Sequence, residues 1–322
     1  MKAIVIHQHG GPDVLSYEDV SEPQLMGGDV LVETEAIGLN YIDTYHRSGT
    51  YSVTLPFVPG MEAAGTVVQV ADDVSDFAVG GRVAWGFNGA SYAERVRVAA
   101  DKAIKIPAGI SAEQAAAAML QGMTAHYLVE STFVIKAGHT ALVHAAAGGV
   151  GQILCQLIAL NGATAIATVS TQVKADIAHA AGAAHVIRYD SEDVVVRVKE
   201  ITGGTGVDVV YDGVGRDTFD ASLASLKIRG LLALFGAASG PVPAFDLQRL
   251  NAGGSLFVTR PSLGHYLLTR QEFEWRAGDI FRWIADGELR IDIGATFPLS
   301  QAAAAHEALE GRKTTGKVLL IP

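Results

Sequence analysis

Leu142-Val-His-Ala-Ala-Ala-Gly-Gly-Val-Gly151 is a run of small and apolar residues near the middle of the chain. The apolar residues before the glycines predict a strand, and the pattern from Gln152 to Leu160 predicts a helix. Strand, tight turn and helix is the context of a G-x-G-x-x-G fingerprint, whose glycines make the turn, admit a pyrophosphate and let the helix pack on the strand. Ala146, Gly148 and Gly151 occupy these three places.

The turn therefore predicts a dinucleotide-binding site in which Gly148, Gly149, Val150 and Gly151 contact the phosphates. Free N–H groups and the helix dipole at the start of a helix both favour a negative charge there. The alternative is a glycine-rich turn without a ligand.

Composition limits the classes of protein that this chain can be. It has 322 residues, 49% hydrophobic and 18% charged, which is a globular composition long enough for about two domains. A net charge of −10 argues against a nucleic-acid surface, and no run reaches the ~18 apolar residues that a membrane span needs. We expect a soluble, cytoplasmic protein.

The single cysteine, Cys155, allows no intramolecular disulfide and is expected to be a buried apolar residue.

On both sides of the glycine turn, short apolar strands alternate with helices such as Gln152–Leu160 and Val173–Ala181. This alternation predicts a doubly wound, parallel six-stranded sheet of the Rossmann type. The six candidate strands are Ala141–His144, Thr164–Thr168, His185–Ile187, Val207–Tyr211, Leu231–Phe235 and Ser255–Val258.

The sequence before about residue 120 is rich in β-branched residues and Gly-Gly pairs, which predicts a separate antiparallel or barrel-like domain. Ser111 and Gln114 form a capping-box pattern that begins a helix. Helices are predicted at Arg270–Asp286 and Gln301–Glu310, and the closing strand from Gly316 is expected to return to the first domain. The predicted domains are 1–124, 125–263 and 264–322, the last completing the first.

The end of the second predicted strand indicates which dinucleotide is bound. NAD-type sites place a carboxylate there for the ribose 2′-OH, whereas this chain has Ser170, Thr171 and, one turn later, Lys174. Hydroxyls and a cation suit the 2′-phosphate of NADPH, and Tyr189 after the third strand is a candidate for the adenine. The alternative is that Ser170 and Thr171 only cap the next helix and Lys174 is a solvated cation.

Several further motifs, in order, resemble the medium-chain dehydrogenase/reductases, and within them the zinc-free NADPH:quinone oxidoreductases related to zeta-crystallin. The motifs begin at His9, Gly38, Pro59, Gln121, Ala145, Val209 and Gly316: HGGPDVL, GLNYIDTY, PGMEAAG, QGMTA, AAAGGVG, VVYDGVG and GKVLLIP. The resemblance implies a GroES-like β-rich catalytic domain interrupted by the Rossmann domain, with an active site in the cleft between them. It also implies a homodimer joined through Ser255–Val258, and such an apolar edge strand needs cover.

The resemblance also bears on metal chemistry. Zinc-dependent relatives carry metal ligands where this chain has Asn40 and Met61, neither of which is a usual zinc ligand, so no metal is expected. Glu62 matches a glutamate of the family and is read as supporting the cleft wall or as a plain ion-pair partner.

Without a metal to polarise a carbonyl, a substrate that accepts hydride readily is required, which favours a quinone or an α,β-unsaturated carbonyl. We predict Asn40 and Tyr45 as hydrogen-bond donors to the developing oxyanion, on a loop that follows an apolar strand. Ordinary packing of aromatic residues beside a turn is the alternative. By resemblance, the cofactor contacts are Tyr41, Ile42, Asp43, Thr44, Tyr45, Thr124, Val150, Gly151, Ser170, Thr171, Lys174, Tyr189, Phe235, Ser239, Thr259 and Arg312.

The predicted function is NADPH-dependent quinone reduction. The nearest alternative is a 2-alkenal or enone reductase, which would use the same cleft. A non-catalytic, crystallin-like NADPH-binding protein or an RNA-binding protein is the alternative of another class, and the acidic charge weighs against RNA.

Overall fold

The computed structural model describes residues 1–322, which divide into two compact units. The flanking domain comprises Met1–Met123 and Tyr266–Pro322, and the inserted domain comprises Thr124–His265. No helix combines the length and the hydropathy that crossing a bilayer requires.

The N-terminal part of the flanking domain contains seven strands and two helices. They are β1 (Lys2–Val5), β2 (Ser16–Asp19), β3 (Asp29–Leu39), α1 (Tyr41–Ser48), β4 (Glu62–Val70), β5 (Arg82–Gly86), β6 (Arg95–Ala99), β7 (Ala103–Lys105) and α2 (Ala112–Tyr127), whose last residues enter the inserted domain. Gln114 N donates to Ser111 Oγ over 3.1 Å, and Ser111 N donates to Gln114 Oε1 over 3.0 Å, as the capping-box pattern predicts.

The inserted domain alternates strands and helices. They are β8 (Thr140–Val143), α3 (Gly149–Leu160), β9 (Thr164–Val169), α4 (Gln172–Ala180), β10 (His185–Arg188), α5 (Val194–Ile201), β11 (Val207–Asp212), α6 (Phe219–Ser225), β12 (Leu226–Leu234), α7 (Gln248–Ala252) and β13 (Phe257–Thr259). All five strand pairs are parallel, in the order β10-β9-β8-β11-β12-β13. The predicted doubly wound, six-stranded sheet is confirmed.

The C-terminal part returns to the flanking domain with α8 (Arg270–Ala285), β14 (Ile293–Pro298), α9 (Ala302–Glu310) and β15 (Lys317–Ile321). A seven-stranded sheet has the order β14-β15-β3-β4-β5-β7, with β6 also on β3. Its pairs are antiparallel except β14 with β15, so the first and last parts of the chain share one sheet.

Three predicted elements differ from the structure. The loop predicted at Asn40–Tyr45 is mostly helix α1, which Asn40 caps and which ends at Gly49, a residue with φ of 80°. The strand predicted at Leu231–Phe235 begins five residues earlier, at Leu226. The strand predicted at Ser255–Val258 starts only at Phe257, because the backbone of Gly254 and Ser255 has positive φ and turns instead of extending.

Candidate active site

The glycine turn of the inserted domain lies at the carboxyl end of β8. Gly148 N donates to Ala145 O over 2.9 Å, and Gln152 N donates to Gly148 O over 2.9 Å. Gly148 is the N-cap of α3 and, as a glycine, has no side chain with which to bond this helix end. The first N–H groups of α3 therefore have no acceptor within the helix, which is the arrangement that binds an anion.

The space around two glycines shows that they serve different purposes. A Cβ on Gly151 would lie 2.5 Å from Ala145 O and 2.7 Å from Ala146 Cα, so the close packing of helix on strand requires glycine. A Cβ on Gly148 would meet only Ala145 O, at 3.2 Å. A side chain at position 148 would need only a small shift of Ala145 O, so packing constrains Gly148 much less than Gly151. Glycine there also leaves the backbone open to a pyrophosphate.

The second strand, β9, ends at the residues predicted to contact a 2′-phosphate. Thr171 caps helix α4, its Oγ1 accepting from Lys174 N over 3.3 Å, so the capping role of this residue is real. A cap and a phosphate site are compatible, because both use the helix N-terminus. The tip of β9 carries no carboxylate, and the nearest one on α4, Asp176, accepts a bond from Gln172 Nε2 over 2.9 Å.

Arg188, which no sequence motif marks, lies near this helix start. Its NH1 lies 3.5 Å from Gln172 Oε1, and its guanidinium pairs with Asp190 at 2.7 Å. Tyr189, 47% exposed, follows at the end of β10. Arg188 adds a second cation to the surroundings of the Ser170–Lys174 segment.

A buried carboxylate organises the turn after β11. Asp212 Oδ1 accepts from Val214 N and Gly215 N over 2.8 and 3.0 Å, and its Oδ2 accepts from Ser222 Oγ over 2.8 Å. Ser222 Oγ in turn lies 3.1 Å from His144 Nε2, and His144 Nδ1 lies 2.9 Å from Thr168 Oγ1. Because burial lowers the pKa of His144, a neutral imidazole ties together the ends of three strands.

The remaining predicted residues of the inserted domain lie in or near the same strand ends. Ser239 Oγ donates to Val214 O over 2.9 Å and accepts from Asp217 N over 3.0 Å, so this hydroxyl holds two loops together. Phe235 follows β12 and is half-buried, and Thr259 ends β13. Thr124 is buried in α2.

Helix α1 of the flanking domain presents tyrosines on one side. Tyr41 and Tyr45 are one turn apart, with ring centroids 5.7 Å apart, and Tyr51 extends the group at 5.2 Å from Tyr45. All three rings are partly exposed. Burial raises the pKa of the Tyr41 hydroxyl, and the nearby charge of Glu310 raises it further. The charge of Arg312 lowers it, so Arg312 is close enough to Tyr41 to act on its hydroxyl. Ile42, half-buried, and Thr44, buried, belong to the same helix.

Asn40 lies at the start of α1 and is only 3% exposed. Its Nδ2 donates to Gly38 O over 3.2 Å and to Glu62 Oε1 over 2.7 Å, and its Oδ1 accepts from Lys317 Nζ over 3.0 Å. Both amide hydrogens are thus used within the protein. A role for Asn40 as a donor to substrate requires the release of one of them and stays a prediction.

A second buried chain of hydrogen bonds leads away from Asp43. Asp43 Oδ2 accepts from Asn40 N and from Tyr92 Oη over 2.9 and 3.0 Å. Tyr92 Oη lies 3.1 Å from His306 Nε2, and Arg47 NH1 donates to His306 Nδ1 over 3.0 Å. Since Arg47 has no acceptor to offer, His306 must be neutral with its proton on Nε2.

Burial shifts the two titratable ends of this chain in opposite directions. The pKa of Asp43 is raised to about 7, because the carboxylate is desolvated and its Oδ1 has no hydrogen-bond partner. The pKa of His306 is lowered to about 3 by burial and by the charge of Arg47, which itself pairs with Glu310 at 2.8 Å. Both shifts therefore make the free energy of unfolding depend on pH.

Sequence reasoning missed Lys317, Tyr92, His306 and Tyr51 as parts of this site. A lysine at the start of an apolar strand was a usable signal for Lys317, since lysine is rarely buried without a partner. Nothing local marks Tyr92 or His306. No three or more histidine, cysteine, aspartate or glutamate side chains are grouped closely enough to hold a metal ion.

A parallel sheet with an anion-binding turn and a second, mainly antiparallel domain define a two-domain, dinucleotide-dependent dehydrogenase or reductase. Residues 26–130 match the alcohol dehydrogenase GroES-like domain family, and residues 181–320 match the zinc-binding dehydrogenase family. The chain is 47% identical to quinone oxidoreductase 1 of Escherichia coli, over 99% of both chains. It is 42% identical to the 2-haloacrylate reductase of a Burkholderia species, over 99% of this chain and 98% of that protein.

The structure of Escherichia coli quinone oxidoreductase complexed with NADPH superposes with a TM-score of 0.98, at 47% identity and with 100% of each chain covered. The chain belongs to the quinone oxidoreductase family of the medium-chain dehydrogenase/reductases. The resemblance found in the motifs is confirmed.

Proposed function

We propose that the protein is an NADPH-dependent quinone reductase. The observation that carries the proposal is its full-length relationship to quinone oxidoreductases, one of which binds NADPH in its crystal structure. Gly148 supports a dinucleotide in particular, because packing demands a glycine there much less than it does at Gly151.

The residues proposed to hold NADPH divide by the part of the cofactor that they suit. Gly148–Gly151 suit the pyrophosphate, Ser170, Thr171 and Lys174 the 2′-phosphate, and Tyr189 the adenine. Phe235 and Ser239, which follow the carboxyl end of β12, suit the nicotinamide half. The other cofactor contacts implied by the resemblance stay predictions. Bound NADPH supplies a hydride, and one proton completes the conversion of quinone to hydroquinone.

The protein's own part in this reaction is placement and hydrogen bonding. We assign Tyr45 as the hydrogen-bond donor to the substrate oxygen, because its ring is partly exposed beside Tyr41 and Tyr51. Three adjoining aromatic rings suit a flat aromatic acceptor. Asn40, with its amide bonded inside the protein, is assigned to positioning helix α1.

A second candidate function is reduction of an α,β-unsaturated carbonyl, with hydride going to the β carbon. The 2-haloacrylate reductase among the relatives favours it. Both candidates use the same cofactor and differ in the shape of the acceptor. The cytoplasm is the proposed compartment.

Cofactor oxidation with a benzoquinone, a naphthoquinone and a 2-alkenal tests the function. We expect the quinones to react fastest, with NADPH preferred to NADH. In a Lys174→Ala variant the KM for NADPH should rise about 10- to 100-fold, as loss of a charge-assisted hydrogen bond of about 1.5–3 kcal/mol implies, with little change for NADH.

Lys199→Ala, on helix α5, is the matched control and should leave both KM values unchanged. No acceleration with any acceptor contradicts a reductase, and faster turnover of the 2-alkenal favours the second candidate. If Lys174→Ala raised the KM values for NADPH and NADH equally, this would contradict the assignment of Lys174 to the 2′-phosphate.

We also propose a homodimer in which two copies meet along β13. This strand forms one edge of the six-stranded sheet, and Phe257 on it is 60% exposed. Ile228 and Leu247, 72% and 68% exposed, are further large apolar side chains of the same domain. An exposed apolar edge strand is a surface that pairs with another chain unless it is covered.

Light scattering should give a dimer mass for the wild type and a monomer for Phe257→Asp. Because Phe257 is exposed, the substitution is not expected to unfold the monomer. Val196→Asp, at a position 54% exposed on α5, is the control and should remain dimeric. A monomeric wild type, or a dimeric Phe257→Asp variant, would contradict an interface at β13.

A further inference from the structure

Lys317 is a fully buried lysine whose position follows from strand register. In the antiparallel pair of β15 with β3, Val318 lies opposite Leu39. The preceding residue of β15, Lys317, therefore lies beside Asn40, where β3 ends and α1 begins. Lys317 is 1% exposed, and its ammonium contacts both Asn40 Oδ1, at 3.0 Å, and Glu62.

The carboxylate of Glu62 accepts hydrogen bonds from three donors. One carboxylate oxygen accepts from Lys317 and from Asn40 Nδ2, and the other accepts from the backbone N–H of Leu120 in α2. A Cβ on Gly38 would lie 2.2 Å from Glu62 Oε1, so glycine at position 38 is what leaves room for the carboxylate. Three separate segments of the flanking domain are joined through one buried side chain.

The ammonium also determines how Asn40 is held. Asn40 Oδ1 faces Lys317, while both hydrogens of Nδ2 are donated, so the amide cannot rotate without breaking the contact with a buried charge. Asn40 is the N-cap of α1, and Tyr41 begins that helix. Lys317, 277 positions from Asn40, thus contacts the residue from which the helix carrying Tyr41 and Tyr45 begins.

We propose that Lys317, held by Glu62, is a positioning residue for quinone reduction, orienting helix α1 and its tyrosines through Asn40. This inference rests on the proposed function. A buried ion pair with no influence on the reaction is the competing explanation, and it makes a different prediction for a variant that lacks both charges.

The decisive comparison is between Lys317→Met, Glu62→Gln and the double variant. Each single change leaves a buried charge without its partner, so thermal stability should fall. In the double variant no unpaired charge remains, and stability should recover towards the wild type. Its kcat should nevertheless stay about 10- to 100-fold low, with an unchanged KM for NADPH, because Asn40 still lacks its cation and the donor tyrosine is misplaced.

Hydrogen–deuterium exchange of the peptide covering Asn40–Ser48 gives a readout independent of activity. The double variant should exchange faster there than the wild type and equally elsewhere. Lys227→Met, which removes the ion pair with Asp208 in the inserted domain, is the control and should leave kcat and this peptide unchanged.

Recovery of kcat together with stability in the double variant, or wild-type exchange at Asn40–Ser48, would overturn the positioning role. If the single variants do not fold, the double variant decides alone. An inactive wild type would instead refute the proposed function, and the exchange measurement would still report whether Lys317 holds helix α1.

Discussion

A Gly148→Ala variant is expected to fold almost as stably as the wild type but to bind NADPH about 100-fold more weakly or worse, a loss of about 3 kcal/mol. The added methyl would meet only Ala145 O, at 3.2 Å, so the protein can accept it with a small shift. The same methyl occupies the space through which a pyrophosphate would approach the backbone. Urea unfolding and calorimetric titration with NADPH measure the two quantities separately.

Gly151→Ala is the matched substitution three residues later, and its main expected effect is on stability. Its methyl would lie 2.5 Å from Ala145 O and 2.9 Å from Ala146 C, so strand and helix must separate. We expect a loss of stability of about 1–3 kcal/mol, as for overpacking elsewhere. Gly278→Ala, in open space on helix α8, is the control and should be neutral or slightly stabilising.

Unchanged NADPH affinity in Gly148→Ala would show that the turn does not hold the phosphates. Wild-type stability in Gly151→Ala would contradict the close packing of α3 on β8.

A His306→Gln variant is expected to become more stable relative to the wild type as the pH falls from 7.5 to 5. The pKa of His306 is about 3 in the folded protein and 6.5 when unperturbed, so its contribution is complete above pH 6.5 and is lost as the pH falls. Over the 1.5 pH units below 6.5 this amounts to about 2 kcal/mol. Glutamine keeps an acceptor for Arg47 and a donor for Tyr92 without titrating.

Asp43→Asn is expected to show the opposite trend. The pKa of Asp43 is about 7 in the folded protein and 3.8 when unperturbed, so its contribution is complete below pH 3.8 and is lost as the pH rises to 7. Relative to the wild type, this variant should lose about 3 kcal/mol between pH 7.5 and 5. In the wild type the two slopes largely cancel between pH 4 and 6.5.

Urea unfolding of the two variants and the wild type at pH 7.5 and pH 5 checks these slopes. Differences from the wild type remove the titration of the other carboxylates. Parallel curves for all three proteins would contradict the assignment of a neutral His306 and a shifted Asp43.

Local patterns were sufficient for the inserted domain and for the start of helix α2. The strand–turn–helix at residues 142–160 and the Ser111–Gln114 capping box depend on residues within one turn or one strand of each other. Buried parallel strands also have a clear sequence signature. For that reason the sheet and the place of the phosphate turn could be predicted.

The residues of helix α1 do not predict a helix, because Tyr, Ile, Thr and His are weak helix formers and the segment is short. The available signal was its ends: Asn40 as the cap, Asp43 three residues later bonding back to Asn40 N, and glycine at position 49. What stabilises the helix beyond these caps comes from distant residues, since Arg47 pairs with Glu310.

By itself the sequence determined the six-stranded sheet, the glycine turn at Gly148–Gly151 and the absence of a carboxylate at the end of β9, because each depends on neighbouring residues. Only the tertiary structure decided the roles of Lys317 and His306. The pairing of β15 with β3 brings Lys317 to Asn40, and the packing of α9 brings His306 to Tyr92. Their pKa values and hydrogen-bond partners arise from burial among residues far apart in the chain, which no local pattern encodes.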